Sequence, residues 1–456
     1  MLCSLRRPSF GRRKHPGASV LFASIKICAK ELSKKAFAFC PLIGKWLCSA
    51  RSTRMKTSGR LRLEFGYTIV IVAFVMMMII WGTFNTFGVF FEPLINQFGW
   101  TRTMTSGASA LNNIIFGIIC IFSAGLSERF GPRWVMTVCG VILGLSYFLM
   151  SRIGSPWELY LYLGVFAAIG MSPYIPLLSL VPRWFPTNRG RMNAIVMSGM
   201  GLGTMVMPPV ASYLISLWQW RNAYLAIAIL TLVVMVAASQ FLRNPPGEAA
   251  SPSIPADHHD EGRTLGQALR SREFGLLCIL YFSFLFSLIA ISVHLVIHAT
   301  GLGIPATKAA ITLSLIGGAS IVGMNVMGNL ADRFSNRVAL GISYAVMALS
   351  LFWLIPSGSE WSLFLFSIAF GFAYGGMQVL FSPLVAELFG TRSHGVILGA
   401  GALAGSVGGA LGPVVTGYVF DVLGSYTVAF ILCAVLTLTG FVSTLLLTPP
   451  SRRKTS

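Results

Sequence analysis

Twelve apolar stretches follow one another along the chain, at 67–91, 106–127, 134–151, 157–181, 192–217, 222–242, 274–299, 306–330, 338–356, 361–386, 394–419 and 426–448. Short polar turns separate them. A helix needs about 20 apolar residues to cross a bilayer core of roughly 30 Å, and these stretches average near that length. They are continuously apolar over longer runs than the alternating strands of about 10 residues that build a membrane barrel. The pattern predicts an all-α membrane protein with twelve transmembrane helices.

The polar turns carry a second pattern. Leu126-Ser127-Glu128-Arg129-Phe130-Gly131-Pro132-Arg133 returns 204 residues later as Leu330-Ala331-Asp332-Arg333-Phe334-Ser335-Asn336-Arg337. The same offset pairs Gly99 with Gly303, Thr103 with Thr307, Phe166 with Phe370, Gly201 with Gly405 and Pro209 with Pro413. An unbroken register of this length indicates duplication, giving two six-helix pseudo-symmetric halves in the same orientation. The expected organisation is a basic tail at 1–60, a first half at 61–242, a linker at 243–273, a second half at 274–448 and a basic tail at 449–456. Pro, Gly and charge mark the linker as flexible. Its His258-His259-Asp260 run reads as solvated chain rather than a metal site, since nothing fixes a coordination geometry. Residues 264–272 are expected to form a short amphipathic surface helix.

Composition agrees with the membrane reading. Of 456 residues, 55% are hydrophobic and 11% charged, against about 25% charged in soluble domains. The formal charge is +20, and it is unevenly placed. Residues 1–60 hold fourteen Lys or Arg and one acid, Glu31. Met55 opens a short basic lead into the first span and is the expected start, with 1–54 a mis-assigned extension. With the N-terminus inside, twelve arginines fall in inner loops. The outer loops carry only Arg102, Arg152, Arg221 and Lys308. Positive charge stays on the cytoplasmic side, so both termini are expected in the cytoplasm and the protein in the plasma (inner) membrane. The basic balance thus reflects topology rather than nucleic-acid binding. The eight cysteines show no metal or redox spacing. No metal and no cofactor is expected, nor any nucleophile–base pairing of an enzyme.

Gly328-Asn329-Leu330-Ala331-Asp332-Arg333-Phe334 closely resembles the loop signature of the major facilitator superfamily, and the resemblance covers about 60–450. Phe87-Gly88-Val89-Phe90, Phe98-Gly99-Trp100, Arg183-Trp184-Phe185, Val293-His294-Leu295-Val296 and Asp421 with Gly424-Ser425-Tyr426 are similar to its bacterial monocarboxylate transporter and oxalate/formate antiporter branch. The resemblance implies a secondary active transporter working by alternating access. Its loop motifs, Glu128, Arg129 and Arg133 with Asp332, Arg333 and Arg337, are then gating residues. Ion pairs at such helix ends bias a bistable element. Glu128 stands where the family has Asp, and Ala124 where the second copy has Gly328, so the first latch is expected to be looser. In span eight the branch commonly places Arg where this chain has Met324, which weakens the inference of an anionic substrate.

No Lys, Arg, Asp or Glu lies deep in any span. The remaining candidates for the substrate and proton pathway are His294 and His298, one turn apart in span seven; Trp81 and Asn85 in span one; Asn112 in span two; Tyr174 in span four; and Tyr374 and Gln378 in span ten. Tyr174 and Gln378 occupy matching repeat positions. A protonated imidazole attracts a carboxylate, which gives proton–substrate symport a physical basis. Against this stands the plainer role of each as a helix–helix hydrogen bond. The expected partners are a small-molecule substrate, a coupled proton and the lipid bilayer, with the protein acting as a monomer. A monocarboxylate-like organic acid is the first substrate class, and export of lipophilic or cationic compounds is the alternative.

Overall fold

The computed structural model describes residues 59–185, 189–244, 262–390 and 393–447. The N-terminal tail and the linker histidines lie outside them. The spans form as helices α1 (Phe65–Phe98), α2 (Arg102–Phe130), α3 (Pro132–Met150), α4 (Pro156–Trp184), α7 (Arg272–Gly301), α8 (Ala306–Arg333), α9 (Asn336–Leu354), α10 (Glu360–Phe389), α11 (His394–Leu423) and α12 (Thr427–Leu446). The fifth and sixth spans run together as one helical stretch, Arg189–Ser239. At about 1.5 Å per residue its 51 residues are more than twice the length a bilayer requires. Gln219, at φ 64° and ψ 160°, breaks it into α5 (192–218) and α6 (220–239), which makes twelve spans among the described residues. The expected loop between these spans is absent because a single residue makes the turn.

Polar side chains set where helices start. The hydroxyls of Thr101, Ser271 and Ser335 accept from the backbone N–H groups of Met104, Phe274 and Val338 at 3.2, 3.3 and 3.2 Å, each satisfying a donor the helix leaves unpaired. Repeat-related Gly99 and Gly303 both take positive φ, 67° and 84°, which closes α1 and α7 in the left-handed conformation that Gly tolerates. The expected surface helix after the linker is one turn, Leu265–Leu269, capped by Thr264. The chain before it is tied down by the Arg263 N–H bonding the Phe389 carbonyl at 2.8 Å.

The 204-residue register is visible in the packing. Arg133 at the start of α3 donates from Nε to Gln240 beyond α6 at 2.9 Å. Arg337 at the start of α9 donates from Nε to the Thr444 carbonyl of α12 at 2.8 Å, and 444 is 240 plus 204. The two bundles meet along α2 against α11 and α5 against α8. Small residues make these contacts close. A Cβ on Gly317 would lie 2.5 Å from the Gly201 carbonyl oxygen and from the Met205 nitrogen, and a Cβ on Gly409 would lie 3.1 Å from the Asn113 side chain. Residues 205 and 317 map onto 409 and 113 by the same offset, so the two seams are pseudo-twofold mates.

Candidate functional site

Where the seams converge, α1, α5, α7, α8 and α10 enclose a cavity lined by Trp81, Phe84, Asn85, Thr204, Leu288, Ile289, Ser292, Leu313, Ile316 and Tyr374. The cavity measures about 10 Å³, roughly the room of one water molecule. Three of the expected residues, Trp81, Asn85 and Tyr374, stand in its wall. Asn85 donates to the Trp81 carbonyl at 2.8 Å and to the Thr204 hydroxyl at 3.1 Å. Thr204 donates in turn to the Met200 carbonyl at 3.0 Å. The Trp81 indole is held edge-on by Phe84, Phe116 and Tyr174, with centroids 5.9–6.2 Å apart. Its N–H is buried and has no hydrogen-bond partner among the described residues. Among the described residues, no Lys, Arg, Asp or Glu lines the cavity.

Tyr174 lies beside the cavity, its ring centroid 5.9 Å from that of Trp81, with the Gln378 side chain near its hydroxyl. Positions 174 and 378 differ by 204, and repeat mates near each other lie close to the pseudo-twofold axis. Asn112 turns away. It is fully buried and donates to the Leu163 carbonyl at 2.8 Å. That carbonyl lies in a π-helical segment, Tyr160–Ala167, whose Tyr162 carbonyl accepts from Ser146 at 2.8 Å. A wide turn leaves carbonyls without their usual i+4 partners, and Asn112 and Ser146 supply donors. Asn112 is placed as a packing residue.

His294 and His298 also lie outside the cavity wall, toward the end of the bundle where α2 begins. His294 is fully buried. Its Nε2 lies 2.9 Å from the Pro413 carbonyl of α11, and its Nδ1 lies 3.1 Å from the Tyr426 hydroxyl. A carbonyl only accepts, so Nε2 carries the hydrogen and the neutral ring's Nδ1 accepts from Tyr426. Arg102 donates a guanidinium N–H to the same phenol oxygen and stacks on Phe420, 3.6 Å from its centroid. Asp421 accepts from the Arg102 N–H at 3.1 Å, the Thr103 N–H at 2.8 Å and the Thr103 hydroxyl at 2.6 Å, capping α2 from α11. His298 packs edge-on against Tyr426 and Phe430, and its Nε2 has no partner among the described residues. The cluster thus fastens α2 of one bundle to α7, α11 and α12 of the other.

At the opposite end, Arg133 and Arg337 bond within their own bundles, as above. Arg129, Asp332 and Arg333 are exposed, with Arg129 5.5 Å from the Phe130 ring centroid. The Glu128 side chain lies outside the described residues. Thr204, Ser292 and the Arg102–Tyr426 contact escaped sequence reasoning. Small hydroxyls in helices give no signature, and Arg102 reads as one more loop charge.

The chain matches the Major Facilitator Superfamily over residues 69–401 and again over 320–456. Monocarboxylate transporter 13 of Bos taurus is 28% identical over 388 residues, 82% of this chain and 88% of that protein. Monocarboxylate transporter 3 of Rattus norvegicus is 27% identical over 376 residues, 81% of this chain and 76% of the other. An uncharacterized MFS-type transporter of Escherichia coli, YhjX, is 23% identical over 325 residues, covering 70% and 79%. In fold, the chain is similar to a bacterial homologue of the human lysosomal transporter Spinster, with TM-score 0.68, 14% identity and coverage of 84% and 97%. Twelve membrane spans, two mated seams and these matches lead to one conclusion: the chain is an integral membrane transporter, not an enzyme, and belongs to the major facilitator superfamily.

Proposed function

We propose that the protein carries a small monocarboxylate-like organic acid together with a proton, by alternating access between its two six-helix halves. The observation that carries this reading is the polar but charge-free cavity. A lone carboxylate without a counter-charge at that depth is costly. An acid and its proton, moved together, present no net charge. The Trp81 N–H and the hydroxyls of Ser292 and Tyr374 suit a carboxyl group, while Phe84, Leu288 and Ile316 suit a short carbon chain. The names of the mammalian relatives point to the same class. A cavity with room for about one water, under a fastened outer end, fits a substrate-free state.

In this reading Arg102, Asp421, Tyr426 and His294 close the outer end, with His298 nearby as a proton station, and the chain's termini face the cytoplasm of a cell whose inner membrane holds it as a monomer. Arg133 and Arg337 keep each bundle rigid so that the halves rock as bodies. Glu128, Arg129, Asp332 and Arg333 engage at the cytoplasmic end when it closes. Breaking such pairs and remaking others is what biases a two-state element.

The aromatic walls, Trp81, Phe84 and Tyr374, favour a second reading, export of lipophilic or cationic compounds. A thermal-shift screen of the purified protein against short organic acids and hydrophobic cations, at two pH values, separates the two, because a bound ligand raises the melting point by mass action. Stabilisation by acids that grows as pH falls supports the proposal. Stabilisation by cations alone removes it.

A further inference from the structure

A charge-free cavity leaves open how a carboxylate, abundant in water as an anion, is captured at the mouth. The geometry points to Arg102 as the residue that receives it. We propose that Arg102 is the carboxylate-recognising residue of the outward-open state, and that the substrate takes the place of Tyr426 on its guanidinium. This rests on the organic-acid reading above.

The first support is the unsatisfied charge. Among the described residues two ion pairs form, Arg263–Glu273 and Lys308–Glu360, and neither involves Arg102. Asp421 is the acid of the cluster, and its two oxygens are engaged by the Arg102 and Thr103 N–H groups and the Thr103 hydroxyl. The guanidinium meets a neutral phenol and an aromatic face instead. A guanidinium matches a carboxylate in a bidentate fork, which a phenol oxygen cannot offer. Of the other outer cations, Arg152 also meets an aromatic face, 5.9 Å from the Phe148 ring centroid, but within its own bundle and not across the seam. Arg221 is held by the Ser151 and Ile153 carbonyls at 3.1 Å, both within its own bundle, and Lys308 by Glu360 at 2.9 Å.

The second support is position. Arg102 reaches from α2 to α11 and α12, so it crosses the seam that must part when the outer end opens. Parting separates it from Phe420 and Tyr426 and exposes the fork. Tyr426 also bonds His294, and two residues earlier on the same helix Ser292 lines the cavity. An acid received at Arg102 is therefore one step from the cavity, and the exchange of Tyr426 for substrate is itself the unlatching event. Delivery of the acid inward lets Arg102 return to Tyr426, which closes the mouth behind it.

The test uses the full chain in proteoliposomes, with external pyruvate, lactate and acetate as probes and uptake half-saturation as the readout. Arg102→Gln should raise external half-saturation at least tenfold, about 1.4 kcal/mol, and Arg102→Lys should fall between it and the wild type. Tyr426→Phe removes the same latch bond but leaves the guanidinium free. It should hold or lower half-saturation. A merely structural latch predicts equal damage from Arg102→Gln and Tyr426→Phe, and that result overturns the inference while leaving the acid reading intact. Wild-type protein that takes up none of the three acids overturns both. Melting curves of each variant establish that it is folded.

Discussion

Replacing Gly317 by Ala puts one methyl into the seam between α5 and α8. The new carbon would lie 2.5 Å from the Gly201 carbonyl oxygen and 2.5 Å from the Met205 nitrogen, about 0.9 Å inside ordinary contact at 3.4 Å. Both obstacles are backbone, so no side chain can rotate away and the two helices must separate. Overpacking of this kind costs roughly 1–3 kcal/mol. A penalty of 1.4 kcal/mol that falls only on the closely packed arrangement shifts the occupancy of that state about tenfold. The mated seam offers an internal control. A methyl on Gly409 meets the Asn113 side chain at 3.1 Å, and that side chain can give way. Gly317→Ala should therefore lower the melting temperature in detergent and slow initial uptake by about tenfold, while Gly409→Ala stays within about twofold of wild type. Equal effects at the two positions, or none at Gly317, would refute the claim that backbone contact at this seam sets the cycle.

Three further outcomes are expected. Trp81→Phe keeps an aromatic ring among its edge-on neighbours but removes the unpartnered N–H, so acid affinity should fall by about tenfold, the worth of one hydrogen bond in a dry site; unchanged half-saturation would place Trp81 in packing alone. Arg337→Ala frees α9 from α12 and should cost about 1 kcal/mol in thermal stability, as should Arg133→Ala; a loss at one without the other would contradict the mated roles of these residues. Gln219→Gly relieves a conformation that side chains rarely adopt, worth about 1–3 kcal/mol, and should hold or raise the melting temperature, whereas Gln219→Val lowers it.

The spans were legible because each needs only length and apolarity, and the duplication because the register lies in the linear order. The expected turn between spans five and six was not, since Gln219 carries no signal that it alone reverses the chain. Within the cavity, Trp81, Asn85 and Tyr374 were legible as polar groups on apolar helices. Asn112 has the same signature but serves the π-helical carbonyl of Leu163, a local backbone feature that no residue pattern announces. His294 and His298 were found as a pair, yet their place at the end of the bundle depends on Tyr426 and Pro413, over a hundred residues away. Arg102 looked like topology because its partner, Tyr426, is 324 residues distant.

The central claim is that a charge-free cavity moves an acid and a proton as a neutral pair. The most direct measurement is uptake of a radiolabelled monocarboxylate into proteoliposomes under an imposed pH gradient, with and without a potassium diffusion potential. Accumulation should be driven by the pH gradient and unaffected by the potential. Uptake that follows the potential at constant pH would contradict it.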